Sequence, residues 1–238
     1  MSTGILHLLP STLGDAAWEA YLPAATRETA CRLRHFVVEN AKTARAELKN
    51  IGHPIPLREL AIGQLPERPA PADIESLLEP LLAGNDVGLM SEAGCPGVAD
   101  PGALLVRRAH QAGITVKPWV GPSSLLLALM ASGLDGQRFA FHGYLPQREP
   151  ERSRKIAELE RESGRQHQTQ LFIETPYRNA ALLQALLAAL RPTTLLCVAA
   201  DLTLTSEMIV TRTVADWRRS TAPHIDKRPT VFLFLSAG

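Results

Sequence analysis

From Ile5 to Trp119 the chain switches repeatedly between short β-favouring runs and segments with helical spacing. That alternation restricts it to an α/β architecture in which right-handed crossovers build a parallel sheet. Ile5 to Leu9 is an apolar run that ends at Pro10 and delivers Ser11, Thr12, Gly14 and Asp15. Phe36-Val37-Val38 closes a second run, with Glu39 and Asn40 at its exit. Asn40 caps a helix from Ala41 to Asn50 whose stop is Gly52. Leu57 to Ile62 reads as a third strand, ahead of a proline-dense loop from Gln64 to Pro71. Ile74, Leu77, Leu78, Leu81 and Leu82 recur at helical spacing, and Gly84 ends that helix. A strand from Asp86 to Met90, a helix from Ala103 to Ala112 and a strand from Ile114 to Trp119 complete the series.

The stretch from Met90 to Gly102 stands at the carboxyl end of one of these strands, where open α/β sheets bind ligands. Gly94, Gly97 and Gly102 remove side chains so that backbone can approach a ligand, and Pro96 and Pro101 stiffen the loop. A plain connecting loop is the competing reading, because glycine and proline punctuate most loops. At Val120-Gly121-Pro122-Ser123-Ser124 the pattern turns a corner, and either serine can cap the helix that runs to Ser132. We place a domain boundary there, giving an N-terminal α/β domain over 1–120 and a C-terminal one over 121–238. Strands are expected at Arg138 to Tyr144, Gln170 to Glu174, Leu195 to Ala200, Met208 to Thr213 and Thr230 to Leu235. Helices fall at Glu151 to Ser163 and, behind the cap Thr175 and first-turn Pro176, at Tyr177 to Leu190. Only some of these strands leave room for a helical crossover, so the second sheet is expected to be mixed.

Composition excludes several function classes. Hydrophobic residues at 45% and charged residues at 21% are ordinary for a globular protein, which argues against disorder. A net charge of +1 supplies no global attraction to nucleic acid, although Arg148, Arg152, Arg154 and Lys155 cluster locally. The three cysteines lack paired spacing, so neither a disulfide framework nor a zinc site is expected, and a cytoplasmic setting fits them. No apolar run reaches membrane-spanning length, and Met1 to Pro10 does not read as a signal peptide. The glycine motifs of nucleotide triphosphate and dinucleotide binding are missing after the first strand. No histidines pair at metal-binding spacing, so no metal is expected; His7 reads as a packed strand residue and His142 as a structural one. Glu39, Glu174 and Glu207 lie at or near strand ends, as ligand contacts or as helix-start charges.

Five ordered segments carry a family resemblance. They are Ser91-Glu92-Ala93-Gly94-Cys95-Pro96 with Asp100-Pro101-Gly102, then Gly121-Pro122-Ser123-Ser124, then Arg138-Phe139 with Gly143-Tyr144-Leu145-Pro146. Glu174-Thr175-Pro176-Tyr177-Arg178 and Asp201-Leu202-Thr203 with Glu207 follow. Together they resemble the tetrapyrrole methylase superfamily, and within it the branch that methylates the cytidine ribose 2′-hydroxyl of small-subunit ribosomal RNA. The resemblance implies two α/β domains, a parallel-sheet N-terminal one and a mixed-sheet C-terminal one, with S-adenosylmethionine folded into the cleft between them and usually a homodimer. Cofactor-contacting positions would fall on Gly94, Cys95, Val98, Ser123 and Ser124, with Phe141 and Ala200 from the second domain. Methyl transfer from a sulfonium needs no metal, because the leaving group is already activated and the protein mainly aligns donor and acceptor.

The acceptor side differs from that branch. Where the branch has Ala-Glu-Asp-Thr-Arg, this chain has Val38-Glu39-Asn40-Ala41-Lys42, and its loop after the first strand is Ser11-Thr12-Leu13-Gly14-Asp15 instead of Thr-Pro-Ile-Gly-Asn. The branch also continues into a helical tail beyond the point where this sequence ends. Both loops should face the acceptor, so Ser11, Gly14, Asp15, Glu39, Asn40 and Lys42 are the substrate-binding candidates, with RNA or a small molecule as acceptor and DNA not expected. Three functions follow in order: a methyltransferase, a hydrolase or transferase using Cys95 as nucleophile, and a noncatalytic cofactor-binding or interaction protein. No catalytic residue is assigned.

Overall fold

A computed structural model describes residues 3–236 and divides into two compact units, Met1–Ser123 and Ser124–Gly238. The first unit runs β1 (Ile5–Leu8), α1 (Ala24–Arg32), β2 (His35–Val38), α2 (Ala41–Asn50), β3 (Ala61–Gln64), α3 (Pro71–Leu82), β4 (Val87–Met90), α4 (Gly102–Gln111) and β5 (Thr115–Pro118). Its sheet has the order β3-β2-β4-β1-β5, and every pairing is parallel. Both faces are covered, as a parallel sheet requires. Phe36 and Val38 of β2 pack with Ala30 of α1 and with Ala44 and Leu48 of α2. Val37, one residue out of phase, packs on the opposite face with Ile74, Leu78 and Leu81 of α3 and with Leu105 and Ala109 of α4. The strand period of two therefore separates two cores with a single sheet.

This arrangement fixes where the loops go. The crossover after β2 leads to β3 at one edge, whereas the crossover after β4 leads across β1 to β5 at the other. Adjacent strands whose connections leave in opposite directions open a crevice at their carboxyl ends. Glu39, at the end of β2, and the loop from Ser91 to Pro101, at the end of β4, flank that point.

The second unit contains α5 (Ser124–Ser132), β6 (Phe139–Tyr144), α6 (Glu151–Gln166), β7 (Thr169–Ile173), α7 (Asn179–Ala189), β8 (Leu195–Ala200), β9 (Met208–Thr213), α8 (Val214–Arg219) and β10 (Thr230–Leu235). The order β6-β7-β10-β8-β9 joins one parallel pair to three antiparallel ones, so the sheet is mixed. Phe172, Phe232 and Phe234 are fully buried at the centre of its core with Leu182, Leu186 and Trp217. Among the described residues no helix is long and apolar enough to cross a membrane.

Two sequence assignments need correction. Leu57 to Ile62 is not one strand: Pro56 introduces a 3-10 turn at Leu57–Glu59, and the strand is Ala61–Gln64. Backbone pairing of His35 to Val38 with Ala61 to Gln64 holds that strand in place despite its Gly63. Behind Thr175, the segment Pro176–Arg178 is likewise 3-10, the α-helix starts at Asn179, and the Thr175 side chain makes no capping bond.

Candidate active site

The loop after β4 is organised from within by two polar side chains. Ser91 Oγ donates to the carbonyls of Ala93 and Gly94, each at 3.2 Å. The Asp100 carboxylate accepts the Gly97 N–H at 2.8 Å and the Gly102 N–H at 2.7 Å, closing the loop onto the start of α4. Such charge-assisted bonds to backbone N–H groups are stronger than neutral ones. The loop is then tied to its neighbours. Ser11 and Gly94 exchange backbone hydrogen bonds at 2.9 and 3.2 Å, an isolated antiparallel bridge, and Ser11 Oγ donates to the Ser91 carbonyl at 2.9 Å. Cys95 Sγ donates to the Pro122 carbonyl at 3.3 Å. Gly121, in the same segment after β5, comes so close to Pro10 that a Cβ would stand 2.4 Å from the proline Cβ.

Gly94 sits at φ +73°, in the left-handed region, where a side chain is strained. A Cβ there would also stand 3.4 Å from Leu13 Cδ2. The result is a loop that presents backbone, held by β1 on one side and by the segment after β5 on the other. Val98 is exposed at its tip, and Ala99 takes a φ of +63°.

Three carboxylates gather around this loop. Glu39 is half-buried, and its pKa is pushed up to about 7 by burial and by the neighbouring Asp100 and Glu92 carboxylates, against the opposing Glu92 backbone N–H. Burial also raises Asp100, opposed by the N–H groups of Gly102 and Gly97. The surroundings therefore favour a cationic ligand group, and Glu39 is poised to exchange a proton near neutral pH. Cys95 behaves otherwise. Burial pushes its thiol up, away from the thiolate, and the intervening residues up to Pro101 separate it from the first turn of α4. That environment removes the physical basis for a cysteine nucleophile.

Ser11, Gly14 and Asp15 share one cavity with Ser91 and Glu92, of about 570 Å³. Glu39 lies against Glu92 and Asp100 but is not part of that lining. Asn40 uses its side-chain oxygen to cap α2, accepting from Lys42 N at 2.9 Å and Thr43 N at 3.3 Å. Lys42 is exposed on the first turn of α2. Gly94, Cys95, Val98 and Ser123 belong to the first unit, while Ser124, Phe141 and Ala200 belong to the second. Phe141 is partly buried in β6, and Ala200 is wholly buried in the second core, opposite Thr230 of β10 and Met208 of β9 in the sheet.

Sequence reasoning missed the α2 side of the cavity: Thr43, Ala46, Glu47, Lys49 and Asn50. A signal was present. Glu47 adjoins Ala44 and Leu48 on the buried stripe of α2, where a carboxylate is out of place unless partnered. The role of Asp100 was also missed, because a bond from a side chain to nearby backbone leaves no periodic trace.

Comparison with known proteins closes the identification. Residues 24–217 match the family described as Tetrapyrrole (Corrin/Porphyrin) Methylases. A ribosomal RNA small subunit methyltransferase I from Xylella fastidiosa is 35% identical over 164 residues, covering 69% of this chain and 59% of that protein. The protein of the same name from Haemophilus influenzae is 29% identical over 216 residues, covering 91% of this chain and 72% of the relative. In that from Escherichia coli O157:H7 the match is 36% over 135 residues, 57% of this chain and 46% of the relative. The aligned regions thus span from about half to under three quarters of these relatives' length. A crystal structure of the methyltransferase CobJ superposes with a TM-score of 0.64 at 19% identity, covering 100% of this chain and 95% of the other, which establishes the shared fold. With the family match running from α1 into α8 and with this two-sheet fold, the chain belongs to the tetrapyrrole (corrin/porphyrin) methylase family.

Proposed function

We propose that this protein transfers a methyl group from S-adenosylmethionine to a hydroxyl of ribosomal RNA, the ribose 2′-hydroxyl being the acceptor atom. The observation that carries the proposal is the family match over residues 24–217, which spans the backbone-presenting loop after β4. Relatives named ribosomal RNA small subunit methyltransferase I support the RNA acceptor.

The residues present fit the donor. Gly94 and Cys95 would hold it against backbone, with Val98 on the same loop and Ser123 in the segment after β5 as further contacts from the first unit. Glu39, Glu92 and Asp100 supply the negative surroundings that suit a sulfonium. When bound, S-adenosylmethionine supplies an activated methyl group whose leaving group needs no protonation. The chain's own contribution is to hold donor and acceptor in line and to receive the proton that the hydroxyl loses, which Glu39 is suited to take. In this reading the protein works in the cytoplasm as a homodimer, on the strength of the resemblance.

The test is calorimetric titration with S-adenosylmethionine and with its demethylated product. The proposal expects one site per chain for each ligand. An absence of binding to both, up to millimolar concentration, contradicts it.

A further inference from the structure

The first unit carries a second cavity, at the end of its sheet opposite to the loop after β4. It measures about 350 Å³, a size that takes a small organic ligand, and is lined from the turn between α1 and β2 and the turn between α3 and β4. Leu33 is buried in the first of these turns, while its neighbours Arg32 and Arg34 are both exposed, and His35 follows as the first residue of β2. Both guanidiniums and the His35 ring line the cavity.

These groups are free to take a ligand. Arg32 Nη2 donates to Thr29 Oγ1 at 3.2 Å, but neither arginine is in an ion pair, and the side chains of Arg34 and His35 have no hydrogen-bond partner among the described residues. The carboxylate in the lining, Asp86, is engaged elsewhere: its Oδ1 accepts the Ile5 N–H at 2.8 Å, and its Oδ2 stands 3.6 Å from His7 Nε2. His7 forms the floor and is 6% exposed. Trp119 Nε1, which can only donate, bonds to His7 Nδ1 at 3.0 Å, so the neutral ring carries its proton on Nε2. Burial, the leading influence, lowers the His7 pKa and favours that neutral form. The Nε2–H nevertheless has no acceptor within hydrogen-bond distance. A buried donor left unmet, beside two like charges left unpaired, is not what packing selects; Leu33 alone anchors the turn.

We propose that this cavity binds a small phosphorylated polyol, its phosphate held by Arg32, Arg34 and His35 and its hydroxyls turned to Asp86 and His7. The planar guanidinium fork matches phosphate oxygens. A hydroxyl can accept from His7 Nε2 and donate to Asp86 Oδ2, whereas a phosphate on that side would meet the Asp86 charge. The site is separate from the carboxylate-rich loop end of the sheet, and its occupancy does not depend on the methyl-transfer reading.

The test titrates the full chain with ribose 5-phosphate, ribose and inorganic phosphate to millimolar concentration, following backbone amide and phosphorus chemical shifts. Ribose 5-phosphate is expected to bind about tenfold or more tightly than ribose or inorganic phosphate, with shifts centred on Arg34, His35 and Asp86. Arg34→Gln removes an exposed side chain that has no partner and should leave the fold intact; it is expected to weaken this binding about tenfold or more, as loss of a charge-assisted hydrogen bond does. Arg107→Gln removes the same charge from an exposed position on α4, on the face of the sheet that α1 does not cover, and should change the affinity less than about twofold because the distant charge is screened. S-adenosylhomocysteine affinity should be unchanged in both variants. No binding of ribose 5-phosphate, an equal loss in Arg34→Gln and Arg107→Gln, or shifts centred on the loop after β4 would overturn the proposal. So would an RNA oligonucleotide without terminal phosphate whose binding depends on Arg34 when ribose 5-phosphate does not bind, since the arginines would then belong to an RNA surface.

Discussion

The two units solve the placement of polar loops in opposite ways. In the first, every strand is parallel, so the segments after β1, β2, β4 and β5 leave from one end of the sheet, and three of them meet the β4 loop: Ser11 bonds Gly94, Pro122 accepts from Cys95, and Glu39 lies beside Glu92 and Asp100. In the second, three antiparallel pairings send loops to both ends, and buried polar groups act as braces. Asp201 shows this use: its Oδ2 accepts from Arg228 Nε and Ser206 Oγ, each at 2.7 Å, fixing the turn between β8 and β9. Asp100 has the same side chain, yet its partners are backbone N–H groups of a loop that remains open to a ligand. Topology, more than residue type, decides whether a carboxylate serves a site or a scaffold.

The comparison breaks first at Asp201. Asp201→Ala takes the carboxylate from the Arg228 guanidinium, which keeps only the His224 and Ser206 carbonyls, and should cost about 3 kcal/mol of stability, read by denaturant unfolding, with S-adenosylhomocysteine affinity unchanged in the protein that remains folded. Lost affinity without lost stability would place Asp201 in the site. A paired test sets Gly94 against Gly133, which has a φ of +70° and where an added Cβ would meet no atom within 4 Å. Gly94→Val should lower cofactor affinity about thirtyfold or more, since left-handed strain of about 1–2 kcal/mol adds to the occupied space. Gly133→Ala should cost about 1 kcal/mol of stability and leave affinity alone.

A third prediction concerns pH. The folded protein keeps the Glu39 proton up to about 7, whereas the unfolded chain releases it near 4.5. Protonation is therefore favoured by folding, and the stability this group contributes is complete below about 4.5 and is lost as pH rises through about 7. Melting temperature should fall less between pH 5 and pH 8 in Glu39→Gln than in wild type. An identical slope in the two proteins would remove Glu39 from the buried carboxylate cluster. The smallest effect is expected at Cys95: Cys95→Ser keeps a hydroxyl to donate to the Pro122 carbonyl and should retain cofactor affinity within about threefold and most of the turnover. Abolished turnover with intact affinity would revive the nucleophile.

Much of the fold was legible because strands such as Phe36-Val37-Val38 carry β-favouring apolar residues and helices such as α3 carry an apolar stripe. β3 was misplaced for a physical reason. Ala61-Ile62-Gly63-Gln64 has little strand propensity of its own, and its pairing with β2 overrides that preference. In the site, the glycines of the β4 loop and the capping role of Asn40 could be read directly. The cavity could not. Its lining joins Thr12, Glu47 and Glu92 from separate stretches of chain, and only the folded sheet brings them together.

The most direct test of the central claim is to incubate the protein with S-adenosylmethionine carrying an isotopically labelled methyl group and with small-subunit ribosomal RNA. The RNA is then digested and its nucleosides analysed by mass spectrometry. The account predicts label in a 2′-O-methylated nucleoside, at a yield that Gly94→Val abolishes and Cys95→Ser preserves. Label on a base instead of a ribose, or unlabelled RNA from a protein that binds the cofactor, would contradict it.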